Sequence, residues 1–152
     1  MENKSSVLAT ASQAICDDEG FKSETYLDSL KIPTIGIGFR CSLLTTQDWN
    51  ILGIPPVSKE NCLKLLALKL DSEYDSLSQK IDFFTNLTFN RQIALLDLAY
   101  QIGVQGLLGY KHMLADLRAG NIQQAGIDEM DSLEARETPR RAKHIFTLLT
   151  EG

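Results

Sequence analysis

The chain has 152 residues, which suits one compact domain, or two small lobes sharing a helix, burying roughly two-thirds of the unfolded surface without a metal or disulfide. With 43% hydrophobic and 23% charged residues it reads as an ordinary globular protein. A net charge of -5 argues against nucleic-acid binding, which leans on clustered Lys and Arg. Cys16, Cys41 and Cys62 are odd in number and lack C-x-x-C spacing, so no zinc site is expected; they read as reduced, mostly buried thiols. No run approaches the ~18 to 20 apolar residues of a membrane span, and the N-terminus reads as a helix entry, not a signal peptide.

In chain order, Val7, Leu8, Ala11, Ala14 and Ile15 recur at helical spacing and predict a helix over about 5–19, stopped by Gly20. A strand around Tyr26 and a turn over Asp28–Lys31 follow. Thr34-Ile35-Gly36-Ile37-Gly38-Phe39 alternates and predicts one further strand of a small antiparallel sheet. A short helix over 46–52 is broken by Gly53-Ile54-Pro55-Pro56. Ser58 is positioned to cap a long helix reaching about Gln79. Thr88 opens a helix with apolar residues on several faces, expected to be central and buried. Gly103, Gly106 and Gly109 punctuate the next stretch. Helices over 110–118 and 122–130 follow, and Thr138-Pro139 starts the last. The fold class is α+β, mostly helical.

Cleavage of a glycosidic bond uses two carboxyl groups flanking it, one of which holds a proton. Glu19 sits at the negative end of a helix after Asp17 and Asp18, which disfavours its ionisation. Asp28 lies nine residues on, in the turn, where solvent favours its charged form. Spacing alone specifies such a pair weakly, since 20 acidic residues offer many pairs.

The full run is more specific. Glu19-Gly20, then Tyr26-Leu27-Asp28, then Pro33-Thr34-Ile35-Gly36-Ile37-Gly38 resembles the signature of the T-even phage lysozyme family. Two later segments agree: Tyr100-Gln101-Ile102-Gly103 with Gly106, Gly109 and Tyr110, which resembles the family's central helix and the glycine-rich turn after it, and Thr138-Pro139-Arg140-Arg141-Ala142-Lys143. The resemblance implies a two-lobe lysozyme-like fold in a single domain over 1–152. Its N-terminal lobe would span about 15–60, its connecting helix about 58–79, and its helical lobe about 80–152 plus the N-terminal helix. It implies a muramidase cutting the β-1,4 bond between N-acetylmuramic acid and N-acetylglucosamine with inversion. Glu19 would be the general acid, with Asp28 and Thr34 holding the attacking water, and the two carboxyls about 6.5 to 9.5 Å apart. Tyr100, Gln101, His112 and Gly38 would meet saccharide. Tyr26 and Arg141 would support the site, Arg141 lowering the pKa of Glu19 against the effect of Asp17 and Asp18. No cofactor is implied. The implied partner is bacterial peptidoglycan, reached from the cytoplasm without a signal peptide, as a phage endolysin or a secreted antibacterial effector. A monomer is expected, and an inhibitor leaves no mark in the sequence.

The chain departs from the family pattern at Phe39, where His is usual, at Glu134, where Trp is frequent, at Lys31, where the turn often has Gly, and in its acidic charge. These departures motivate an alternative, a peptidoglycan-binding module that keeps the scaffold without turnover. Other features fall to plainer readings. Gly36-Ile37-Gly38 lacks the third glycine of a dinucleotide loop. No serine sits in G-x-S-x-G. His112 and His144 lack companion ligands, and Trp49 reads as part of an apolar helix face.

Overall fold

In the computed structural model the described residues are 3–152, the side chains of residues 133 and 134 excepted. Eight α-helices and one three-stranded sheet are seen among them, in the order α1 (Lys4–Glu19), β1 (Lys22–Leu27), β2 (Pro33–Gly36), β3 (Phe39–Arg40), α2 (Thr46–Leu52), α3 (Lys59–Lys80), α4 (Phe89–Leu108), α5 (Lys111–Ala119), α6 (Ile122–Met130), α7 (Leu133–Glu137) and α8 (Pro139–Glu151). The predominantly helical α+β class read from the sequence is the class observed. The chain divides into two compact units, one of Ser12–Asp71 and one of Ser72–Gly152 with the chain's start up to Ala11. The divisions fall inside α1 and α3.

The smaller unit holds the sheet, in order β1-β2-β3 with both pairs antiparallel. Tyr26 pairs with Thr34, Leu27 with Pro33, and Ile35 with Phe39. Ile35 and Ile37 are fully buried, and Leu52, Cys62, Leu65, Leu66 and Leu70 complete this unit's core. Each such buried side chain contributes about 1.5–3 kcal/mol of hydrophobic stabilisation. Local capping fixes where the helices begin. The Thr45 hydroxyl accepts from the Asp48 N–H at 3.1 Å while the Asp48 carboxylate accepts from the Thr45 N–H at 3.0 Å. The Thr45 N–H first, and then the Lys69 ammonium 3.5 Å away, hold the Asp48 carboxyl below the usual carboxylate range. Ser58 Oγ accepts from the Asn61 N–H at 3.1 Å at the start of α3.

The expected single strand over Thr34–Phe39 is instead a tight hairpin, with β2 ending at Gly36, a turn at Ile37–Gly38, and β3 returning. Gly36 and Gly38 both have φ of 70°, which extended strand backbone cannot accommodate.

In the larger unit α4 runs through the core. Gln92 to Ala99 are all buried, so the helix has no solvent face there. It packs against α8, and α6 packs against both α5 and α8. Tyr74 and Phe84 meet edge to face at 5.2 Å. Thr88 caps α4 through the Arg91 N–H at 3.4 Å. The expected glycine-rich turn is not a turn. Helix resumes after Gly103 and continues to Leu108, so the break is confined to Gly103, at φ 81° and ψ 159°. The five-residue α7 was not expected, being too short to carry a period. All three cysteines are free, with Cys16 and Cys62 buried and Cys41 partly so. No helix among the described residues is long and apolar enough to cross a membrane.

Candidate active site

Glu19 is the last residue of α1. The helix stops because Gly20, at φ 72°, turns the chain while its N–H still donates to Cys16 O at 2.8 Å. The chain then enters β1, which carries Tyr26, and leaves it into a turn that Asp28 builds with its own side chain. Asp28 Oδ1 accepts from the N–H groups of Leu30 at 2.8 Å and Ile32 at 2.9 Å. The Lys31 N–H closes the turn on Asp28 O at 2.9 Å. Lys31 has a φ of 63°, a left-handed conformation rare for a side chain of this kind. That is the position where glycine was noted as usual.

Both bonds fall on one carboxylate oxygen, so Asp28 is fixed while its Oδ2 takes no hydrogen bond from the described residues. Thr34 is almost fully buried, and its hydroxyl donates to Ile32 O at 2.8 Å. With its proton committed, Oγ1 meets any further group as an acceptor.

Gly38 packs directly on Glu19. A Cβ built there would overlap Glu19 Oε2 and lie 2.6 Å from its Cδ. Only glycine satisfies both the approach and the φ of 70°. Gly36 plays the matching part on the inner side, where an added Cβ would lie 2.9 Å from Cys62 Sγ and from Phe39. Phe39 itself is buried, filling apolar space where His was noted as usual.

Tyr26 ties the group together. It faces Thr34 across the β1–β2 ladder, and its phenol pKa is raised by burial first, then by the charges of Glu19 and Asp28. Glu19, Tyr26, Asp28, Thr34 and Gly38 therefore converge within one unit.

The remaining candidates lie in the other unit. Arg141, on α8, is buried and pairs with Asp97 Oδ1, through Nη2 at 2.6 Å and Nε at 2.8 Å. Gln101 Nε2 donates to the same oxygen at 3.4 Å, and the Thr138 hydroxyl donates to Gln101 Oε1 at 3.4 Å. Tyr100, next along α4, is partly buried. His112 is exposed on α5, and His144 is exposed on α8. Trp49, on α2 of the smaller unit, is half-buried. The Glu134 side chain lies outside the described residues. Asp97, fully buried at the hub of this network, was not singled out from sequence. Its signal was a carboxylate inside an otherwise apolar helical run.

The phage lysozyme profile matches residues 17–141, which carry the whole hairpin, the long helices and the Thr138-Pro139 helix start. The chain belongs to the phage lysozyme family. It is 28% identical to the pre-baseplate central spike protein Gp5 of Enterobacteria phage T4, over 89% of this chain but only 26% of the spike protein. It is 23% and 26% identical to probable T4-type lysozymes 1 and 2 of Dictyostelium discoideum, over 89% of this chain and 90% of each of them. The chain thus spans about a quarter of the spike protein and nine-tenths of the two lysozymes. Lysozyme-family membership places it in a class of proteins directed at peptidoglycan.

Proposed function

We propose that this protein is a muramidase, hydrolysing the β-1,4 bond between N-acetylmuramic acid and N-acetylglucosamine in bacterial peptidoglycan. The observation that carries the reading is the convergence on Tyr26. The Tyr26 phenol lies in the field of Glu19 and Asp28, and the Tyr26 backbone pairs across the sheet with that of Thr34. Two carboxyl groups and a buried hydroxyl in one place are the elements an inverting glycosidase needs.

Glu19 donates its proton to the glycosidic oxygen as the bond to the anomeric carbon breaks. Asp28, through the oxygen not held by the backbone, takes a proton from the attacking water. Thr34 accepts the water's other hydrogen, since its own proton is given to Ile32 O. The water oxygen bonds to the anomeric carbon from the face opposite the leaving group, so the configuration inverts. Cell-wall lysis follows, in a phage endolysin or an antibacterial effector.

The test is clearing of outer-membrane-permeabilised Gram-negative cells. The parent lowers turbidity and Glu19→Gln does not, while both fold alike by circular dichroism. A parent that binds cells without clearing them overturns the enzyme reading in favour of a binding module.

A further inference from the structure

The larger unit carries a pocket that the muramidase chemistry does not use. It opens where the end of α3, the chain just beyond it, the end of α4 and one face of α5 come together. Its volume is about 260 Å³, close to the ~300 Å³ lower end of small-ligand sites. All of its lining residues belong to the larger unit. Ile81, Phe83, Leu108 and Leu114 give it apolar walls, Ile81 buried and the other three half-buried. The rim is cationic. Lys80, Lys111 and Arg118 are exposed there. Arg118 is held in place: its guanidinium bonds both Asp82 carboxylate oxygens, at 2.8 Å and 3.1 Å, and lies 4.9 Å from the centre of the Phe83 ring. Lys80 and Lys111 have no ion-pair or hydrogen-bond partner among the described residues. Lys80, in the last turn of α3, suits the negative end of its helix. Lys111 begins α5, where the positive end of the helix disfavours a cation, so the helix does not account for it. Two uncompensated positive charges thus border an apolar pocket in a chain whose net charge is -5.

We propose that this pocket binds a small amphipathic carboxylate, its one apolar group against Phe83, Leu108 and Leu114 and its carboxylate paired with the Lys80 and Lys111 ammoniums. The walls supply affinity by taking hydrocarbon out of water, and the rim selects charge. The volume sets the size: one ring or a short branched chain fits, whereas a long acyl chain stays largely in water. The rim also favours a carboxylate over a phosphate. The guanidinium fork that would grip a phosphate is already closed on Asp82, and the two ammoniums left are point charges that ask only for an anion. A bound molecule bridges the ends of α3 and α4 to α5, so it stabilises the folded larger unit by mass action. The site stands apart from the muramidase reading, and its test does not read hydrolysis.

The experiment titrates phenylpropionate into the full chain at low salt and follows the backbone amides by NMR, beside the neutral phenylpropionamide. The carboxylate should shift the amides of Ile81, Phe83, Lys111 and Leu114 and saturate with a Kd of a few millimolar or tighter. It should bind at least about fivefold tighter than the amide, the advantage expected of two exposed charge pairs. Lys80→Gln and Lys111→Gln together should bring the carboxylate down to the affinity of the amide, and about 0.5 M salt should do the same in the parent. No saturable shift at those four amides up to about 30 mM carboxylate overturns the proposal. Equal Kd values for carboxylate and amide in the parent overturn it as well, and neither measurement needs a variant to fold. A charge preference that survives in the double variant refutes the assignment of the two lysines.

Discussion

Replacing Gly38 with alanine separates backbone strain from site chemistry. The residue has a φ of 70°, where a Cβ costs about 1–2 kcal/mol. For a chain of this length that lowers Tm by about 2–8 °C. The added methyl would also lie 2.6 Å from Glu19 Cδ. Carbon–carbon contact is favourable only from about 3.5 Å, so the carboxyl must retreat by about 1 Å. A displacement of that size at a reacting group costs about 10²-fold in rate. Gly120→Ala is the control: its φ of 81° imposes the same strain, and nothing lies within 4 Å of the added methyl. Both variants should lose comparable stability by urea unfolding. Only Gly38→Ala should lose its activity on isolated sacculi, assayed well below both melting temperatures. If Gly38→Ala keeps more than about half the parent rate, its contact with Glu19 is irrelevant to catalysis and the assignment of the acid fails.

Three further outcomes are expected. Thr34→Val should remove the acceptor for the attacking water and slow hydrolysis at least about tenfold, with about 1 kcal/mol lost from the bond to Ile32 O, whereas Thr34→Ser should retain most of the rate. Lys31→Gly relieves left-handed strain at an exposed turn position and should raise stability by about 0.5 kcal/mol net of the added unfolded-state entropy; a lower Tm would show that Lys31 makes a compensating contact. Asp97→Ala breaks the buried ion pair with Arg141 and should cost about 3–5 kcal/mol by denaturant unfolding, while adding Arg141→Met should recover part of the loss. A loss below about 1 kcal/mol for Asp97→Ala would show the pair to be marginal.

Helix boundaries were legible wherever short-range chemistry sets them. Ser58 and Thr88 accept bonds from N–H groups three residues on, and Gly20 and Gly120 take left-handed φ values that end a helix. Such signals need no tertiary context. The hairpin at Ile37–Gly38 was hidden because Thr34-Ile35-Gly36-Ile37-Gly38-Phe39 alternates like one strand, and glycine permits but does not demand a reversal. The run through Gly106 and Gly109 was misread for the opposite reason. Packing of Leu107 into the core, where it is fully buried, holds residues helical that propensity would release.

At the candidate site the spacing of Glu19, Asp28 and Thr34 was readable. The close approach of Gly38 to Glu19 was not, because it depends on where the hairpin folds back. Asp97 was missed for a related reason. Nothing local distinguishes a buried carboxylate from the exposed ones on neighbouring turns; only the packing of α4 against α8 does.

The central claim, that this chain hydrolyses peptidoglycan by protonation from Glu19, is tested most directly by digesting sacculi in ¹⁸O-labelled water and analysing the fragments by mass spectrometry. The parent should release chains whose new reducing end is N-acetylmuramic acid carrying one ¹⁸O, and Glu19→Gln should release none. Fragments ending in a 1,6-anhydro ring without label, or equal release by Glu19→Gln, would contradict it.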